Sequence, residues 1–107
     1  SNKLIDVIKV RDFAPEDIIS RELALVKVFA TARTRGEISE LAALAGGKIC
    51  DVTRTSVTVE FCDTTERVEN FLSLCRPYGL KSVVRTGSVA MEKGGGSLSA
   101  ENSGAKS

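Results

Sequence analysis

Between residues 20 and 30 most positions are apolar. Leu23, Leu25 and Phe29 fall on one side of an extended chain, with Lys27 among them, and Ala24, Val26, Val28 and Ala30 fall on the other. The period of two predicts a strand. A strand apolar on both faces is usually covered on both, and in a chain this short the second cover is expected from another subunit or domain. Residues 55–62 alternate strictly, with Thr55, Val57, Val59 and Phe61 against Ser56, Thr58, Glu60 and Cys62. That is the pattern of an antiparallel strand with one face exposed. Residues 48–53, with Ile49, Cys50 and Val52, are predicted to be its hairpin partner across a short junction at Arg54 and Thr55. Residues 80–91 form the last strand of the set.

Elsewhere the period lengthens to that of a helix. Ile38, Leu41, Ala42 and Ala45 recur at i, i+3, i+4 and i+7, with Leu44 on the flank. Thr34 followed by Glu37 has capping-box spacing, and Gly46 with Gly47 is a helix stop. A second helix is predicted to start at Asp63, with Glu66 as its capping partner. Its apolar stripe is Val68, Phe71, Leu72 and Cys75, and Pro77 and Gly79 end it. The order over residues 20–91 is β-α-β-β-α-β. This predicts an α+β, ferredoxin-like fold, a four-stranded antiparallel sheet with two helices on one face. The uncovered face predicts a homodimer.

Residues 4–10 also read as a strand, one with no upstream partner. Pro15 restricts Ala14 and interrupts regular pairing, so residues 11–19 read as a connector. A strand and a connector ahead of a complete βαββαβ set suggest a piece of something longer. The expected division is 1–14 as the end of a preceding domain with its connector, 15–91 as the main domain, and 92–107 as a flexible polar tail. Beyond Glu92 and Lys93 the residues are small and polar with one leucine, too little to bury a core.

Composition narrows the function classes. Apolar residues make up 42% and charged residues 27%, but aromatics only 5% with no Trp, so the core must be mostly aliphatic. A net charge of +1 gives no general attraction to nucleic acid or to an anionic membrane. No apolar run approaches the roughly 20 residues that span a bilayer, and no signal peptide is visible. Cys50, Cys62 and Cys75 are unclustered and odd in number, which predicts free thiols in a reducing cytoplasm. There is no His. That removes the commonest general acid/base and zinc ligand and every Ser-His or Cys-His pair. Gly94, Gly95 and Gly96 follow the last strand and read as linker, not as a phosphate-cradling loop.

The remaining candidates are few. Arg33 and Arg35 flank the first helix start, a place that favours anions, but a solvated loop is the better explanation of exposed charges there. Arg21 and Glu22 are candidates for inter-subunit salt bridges or an ordinary surface pair. Arg85 precedes Thr86 and Gly87 inside the last strand, where glycine marks a bulge or a close backbone approach; interface and local packing are both open. Cys75, on an apolar helix stripe, is expected to be buried and inert. Asp51 and Glu60 as an acid/base pair would need a pocket that nothing in the sequence supplies.

Four segments carry a family resemblance. They are residues 2–10 (Asn-Lys-Leu-Ile-Asp-Val-Ile-Lys-Val), 21–28 (Arg-Glu-Leu-Ala-Leu-Val-Lys-Val), 49–53 (Ile-Cys-Asp-Val-Thr) and 84–91 (Val-Arg-Thr-Gly-Ser-Val-Ala-Met). In that order they resemble the small, regulatory subunit of acetolactate synthase (acetohydroxyacid synthase). Residues 2–10 are similar to the last strand of its N-terminal ACT domain and the rest to its C-terminal domain, with Val84 where the family's closing signature has alanine. The resemblance implies a chain that is no enzyme by itself. It implies a regulatory subunit of a transferase, activating a catalytic subunit in branched-chain amino-acid (valine, leucine, isoleucine) biosynthesis. Thiamine diphosphate, Mg and FAD are then expected only on that catalytic subunit. The feedback-inhibitor site would lie in the ACT domains, so no inhibitor-contacting residue carries over to this sequence. Catalytic, cofactor-binding and metal residues are expected to be none, and Arg21, Glu22 and Arg85 are the interface candidates.

Other classes share the element order. An acylphosphatase-like enzyme would need a Gly-x-Val-x-Gly loop, which is not found. An RNA reader would need aromatics on its central strands, where residues 55–62 offer Phe61 on the apolar side. A metal sensor of the nickel-repressor kind would need His ligands. The main rival is a free-standing amino-acid sensor with ligand at a dimer interface.

Overall fold

The computed structural model describes residues 14–95. The strand expected over residues 4–10 and the tail beyond residue 95 lie outside the described residues. Contacts divide the described residues into two compact units, residues 21–88 and residues 14–20 with 89–95. In the second unit a short 3-10 turn covers Pro15–Asp17, and the Lys93 amide donates to the Asp17 carbonyl at 2.9 Å.

The elements are β1 (Ile18–Phe29), α1 (Arg35–Ala45), β2 (Lys48–Val52), β3 (Ser56–Asp63), α2 (Thr65–Cys75) and β4 (Leu80–Glu92). The sheet order is β2-β3-β1-β4, the ferredoxin-like βαββαβ arrangement that the periodicity predicts. β1 starts two residues earlier than the pattern suggests and takes the end of the expected connector. β1 and β3 pair antiparallel, with Ala24 opposite Phe61, Val26 opposite Val59 and Val28 opposite Val57. These residues are almost fully buried and meet Ile38 and Ala42 of α1 and Val68, Phe71, Leu72 and Cys75 of α2 in one core. Phe61 and Phe71 stack with centroids 4.7 Å apart, tying α2 to the sheet. Phe61 therefore faces the helices. Leu41 and Ala45 pack at the core's margin, while Leu44 is 81% exposed.

Both helix starts differ in detail from the capping pattern. Thr34 is the N-cap of α1 but makes no side-chain cap bond. Its hydroxyl accepts from the Thr31 amide at 2.8 Å, and Glu37 points away to the Tyr78 hydroxyl. In α2 the cap is Thr64, not Asp63: Thr64 Oγ1 accepts from the Arg67 amide at 3.2 Å. Asp63 instead accepts from the Thr64 amide and from Arg67 Nε, each at 2.8 Å. These hydrogen bonds, led by the backbone one, hold the Asp63 carboxyl below its ordinary range.

Gly46 stops α1 with φ of 93°, and Gly47 answers a different need. A Cβ on Gly47 would lie 2.8 Å from Val59 Cγ1 and 3.3 Å from Phe61 Cδ1. Val59 is fully buried and has nowhere to go. Gly47→Ala is therefore expected to lower stability by about 1–3 kcal/mol, the usual cost of overpacking. Urea denaturation would show it, and an unchanged midpoint would mean that the β2 edge yields freely.

β2 pairs with β3 and shifts register between Ile49 and Asp51. This bulge at Cys50 is invisible in the apolar pattern. It blunts an edge strand whose residues are all exposed. No helix among the described residues is long and apolar enough to cross a membrane.

Candidate functional site

Two of the residues singled out in the sequence meet in one cluster. Glu22 lies on the helix side of β1, next to Ala24 in the alternation, and is only 4% exposed. Arg85 reaches it from β4 with two parallel bonds: Nε donates to Oε2 at 3.0 Å and Nη2 to Oε1 at 2.9 Å. The third guanidinium nitrogen, Nη1, donates to Glu69 of α2. The Gly87 amide completes the shell around Glu22 at 3.2 Å. Fork-to-fork pairing of this kind is strong and geometrically specific. Bonding to Arg85 holds the Glu22 carboxyl below its ordinary value of 4.5, and bonding to Glu22 raises the guanidinium in turn.

β4 is irregular at this point. Gly87 has φ of 82°, the left-handed region that glycine tolerates. The neighbouring Thr86 hydroxyl accepts from the Leu23 amide at 3.1 Å and donates to the Gly87 carbonyl at 2.8 Å. A side chain thus takes a bond from β1 beside the kink, as the glycine in the sequence suggests. The cluster joins β1, β4 and α2, and its carboxylates are engaged by arginine. It positions backbone and leaves no group poised for proton transfer.

The sheet's other face carries the apolar set that β1 turns away from the helices. Leu23, Leu25 and Phe29 are 37%, 42% and 46% exposed. Val84 joins them, because its neighbours Val83 and Arg85 face the helix side. Lys81 Nζ sits 5.8 Å above the Phe29 ring. Opposite β1 on this face stand Cys62, Glu60, Thr58 and Ser56 of β3. The result is an open, largely apolar surface in which Lys27 and Glu60 stand among the apolar residues, with Lys48 beside Glu60 and Lys81 over Phe29.

The other candidates separate. Asp51 pairs with Thr58 and Glu60 with Lys48, so the two carboxylates are not cross-strand partners. Cys75 is fully buried, and burial pushes its thiol up to about 11; Cys50 and Cys62 are exposed and free. Arg33 approaches Glu37 at 3.9 Å, and Arg35 donates to the Arg54 carbonyl at 3.0 Å. The described residues hold no group of three or more Cys, Asp and Glu arranged for a metal ion.

Comparison with known proteins gives this arrangement a context. The family model for the small subunit of acetolactate synthase matches residues 21–94. A probable acetolactate synthase small subunit of Methanothermobacter thermautotrophicus is 45% identical over 94 residues, which is 87% of this chain and 56% of that protein. The acetolactate synthase small subunit of Bacillus subtilis is 39% identical over 93 residues, 87% of this chain and 54% of its own length. A crystal structure of the acetolactate synthase small subunit from Thermotoga maritima matches with a TM-score of 0.70 and 35% identity, over 75% of this chain and 49% of that one. The chain spans about half the length of the curated relatives it matches. It belongs to the acetolactate synthase small-subunit family.

Proposed function

We propose that this chain is a non-catalytic, activating part of a regulatory subunit, acting on the thiamine-diphosphate-dependent catalytic subunit of acetolactate synthase. The observation that carries this is the family match across the domain that holds both the Glu22–Arg85 cluster and the open sheet face. The pathway would be branched-chain amino-acid synthesis, in the cytoplasm. Thiamine diphosphate, Mg and FAD would sit on the catalytic partner. Residues 1–14 would be the end of an ACT domain with its connector, 15–91 the C-terminal domain, and 92–107 a tail.

Activation by a partner is a linkage effect. The chain must bind the active state of the catalytic subunit more tightly than the inactive one. A tenfold gain in rate from a population shift needs about 1.4 kcal/mol of differential binding. Co-sedimentation of the chain with purified catalytic subunit tests the association: a complex supports the proposal, and its absence at high micromolar concentration contradicts it.

The open sheet face is the proposed homodimer surface. Leu23, Leu25 and Val84 give it an apolar centre, and an isologous contact lets Lys27 of each copy approach Glu60 of the other. Arg21, which shares the outward alternation of Leu23, would border that contact, while Glu22 and Arg85 fix the strands behind it. Leu25→Asp places a charge in the middle of the face without touching the core. The variant is expected to fold normally and to sediment as a monomer where the parent is a dimer. Identical sedimentation would move the interface elsewhere.

A further inference from the structure

One end of the domain combines a cavity with a charge imbalance. Three segments close that end: residues 30–37 after β1, 53–55 between β2 and β3, and 76–79 before β4. Backbone bonds tie them together, Ala30 amide to Thr55 carbonyl at 2.8 Å and Phe29 amide to Gly79 carbonyl at 2.8 Å. Between them lies an open pocket of about 670 Å³, floored by Phe29, Ala30, Pro77 and Tyr78, within the size range of ligand and side-chain pockets. Its polar centre is Glu37, which accepts from the Tyr78 hydroxyl at 2.9 Å.

The same segments carry Arg33, Arg35, Arg54 and Arg76 against the single carboxylate of Glu37. Arg33 meets Glu37 only at 3.9 Å and stays 81% exposed. Arg35 spends its bond on a carbonyl. Among the described residues, Arg54 and Arg76 make no ion pair. Arg67 and Arg85, by contrast, are matched to carboxylates at close range. The chain is nearly neutral overall, so this end is locally cationic, with Arg33 lining the pocket itself and the other three arginines on the segments that close it.

We infer that this end is a docking surface for a partner protein, and that it takes an acidic segment carrying an apolar side chain. The apolar residue fills the floor, its backbone N–H groups find Glu37, and the flanking carboxylates meet the arginines. A free inorganic anion would leave the apolar floor unused, and a polyphosphate chain would meet Glu37 with like charge. The inference rests on the reading that the chain works by binding a catalytic partner, and it names the surface that does so.

The test has two arms. In the first, the isotope-labelled chain is titrated with a short, end-blocked peptide of Glu and Asp around one Leu, followed by NMR. Controls replace the acids by Lys, the Leu by Ser, or the peptide by a short single-stranded RNA. Shifts are expected at the amides of Ala30, Thr34, Thr55 and Tyr78. Binding should weaken with salt and should fall roughly tenfold or more in Arg33→Glu/Arg54→Glu/Arg76→Glu. Equal binding of the Lys peptide, shifts elsewhere, or preference for RNA overturns the inference. In the second arm the catalytic subunit is titrated against the parent and the triple variant, whose fold is checked by circular dichroism. Loss of affinity in the variant supports the surface. Equal affinity overturns it and leaves the proposed function standing. A peptide that seats in the pocket of a chain that no catalytic subunit binds supports the surface and counts against the proposed function.

Discussion

Phe71→Ala is expected to cost roughly 3–5 kcal/mol, the range for truncating a buried aromatic. A domain of this size has about 5–15 kcal/mol to lose, so the variant should be substantially unfolded at modest temperature. Phe71 is 2% exposed and stacks almost parallel on Phe61, with an interplanar angle of 4°. The pair is the main aromatic mass in a core otherwise built of Val, Ile, Leu, Ala and Cys75, and it joins α2 to β3. Small side chains around it offer little that could move into the void. Urea denaturation followed by circular dichroism would read the loss. Phe71→Leu, which keeps most of the volume, should lose clearly less. Equal midpoints for Phe71→Ala and the parent would mean that α2 contributes little to the core.

Arg85→Met is expected to lower Tm by several degrees, because it strands a buried carboxylate. Without the guanidinium, Glu22 keeps the Gly87 amide at 3.2 Å but no counter-charge, and removing one partner of a buried pair costs more than removing both. The double variant Glu22→Gln/Arg85→Met should therefore be more stable than Arg85→Met alone. The pH dependence gives an independent sign. The folded-state pKa of Glu22 is depressed from 4.5, chiefly by bonding to Arg85. Its contribution is thus complete above 4.5 and is lost as pH falls through the folded value. The Tm gap between the parent and Arg85→Met should narrow as pH drops below 4.5. Asp63, also depressed, titrates in both proteins and leaves the comparison unaffected. A gap that stays constant or widens would assign Arg85 a packing role only.

The elements were legible because their periods are clean. Strict alternation in β3 and the i, i+3, i+4, i+7 set of α1 each face one core, so the periodicity also identifies most of the buried residues. The caps were less legible because neighbouring residues compete for the same position. Asp63 and Thr64 can each cap α2, and the choice falls to Thr64 once Asp63 is engaged by Arg67. Thr34 stands at the right place, yet its hydroxyl is taken by the Thr31 turn. Glu22 and Arg85 each stood out singly as interface candidates. Their mutual pairing spans 63 residues and depends on the β1–β4 alignment, which no local pattern encodes. The pocket at the cationic end was hidden for a similar reason. Its lining comes from three loops, and only the strand ends bring Phe29, Thr55 and Tyr78 together. Arg33 and Arg35 are visible in the sequence as cations at a helix start, but nothing local shows that Arg33 borders an apolar floor.

The most direct test of the proposed role is acetolactate formation from pyruvate by the purified catalytic subunit, measured with rising amounts of this chain and with valine present or absent. The proposed activation predicts a saturable increase in rate, with valine present as well as absent. A rate that stays flat at concentrations where the two proteins form a complex would contradict it.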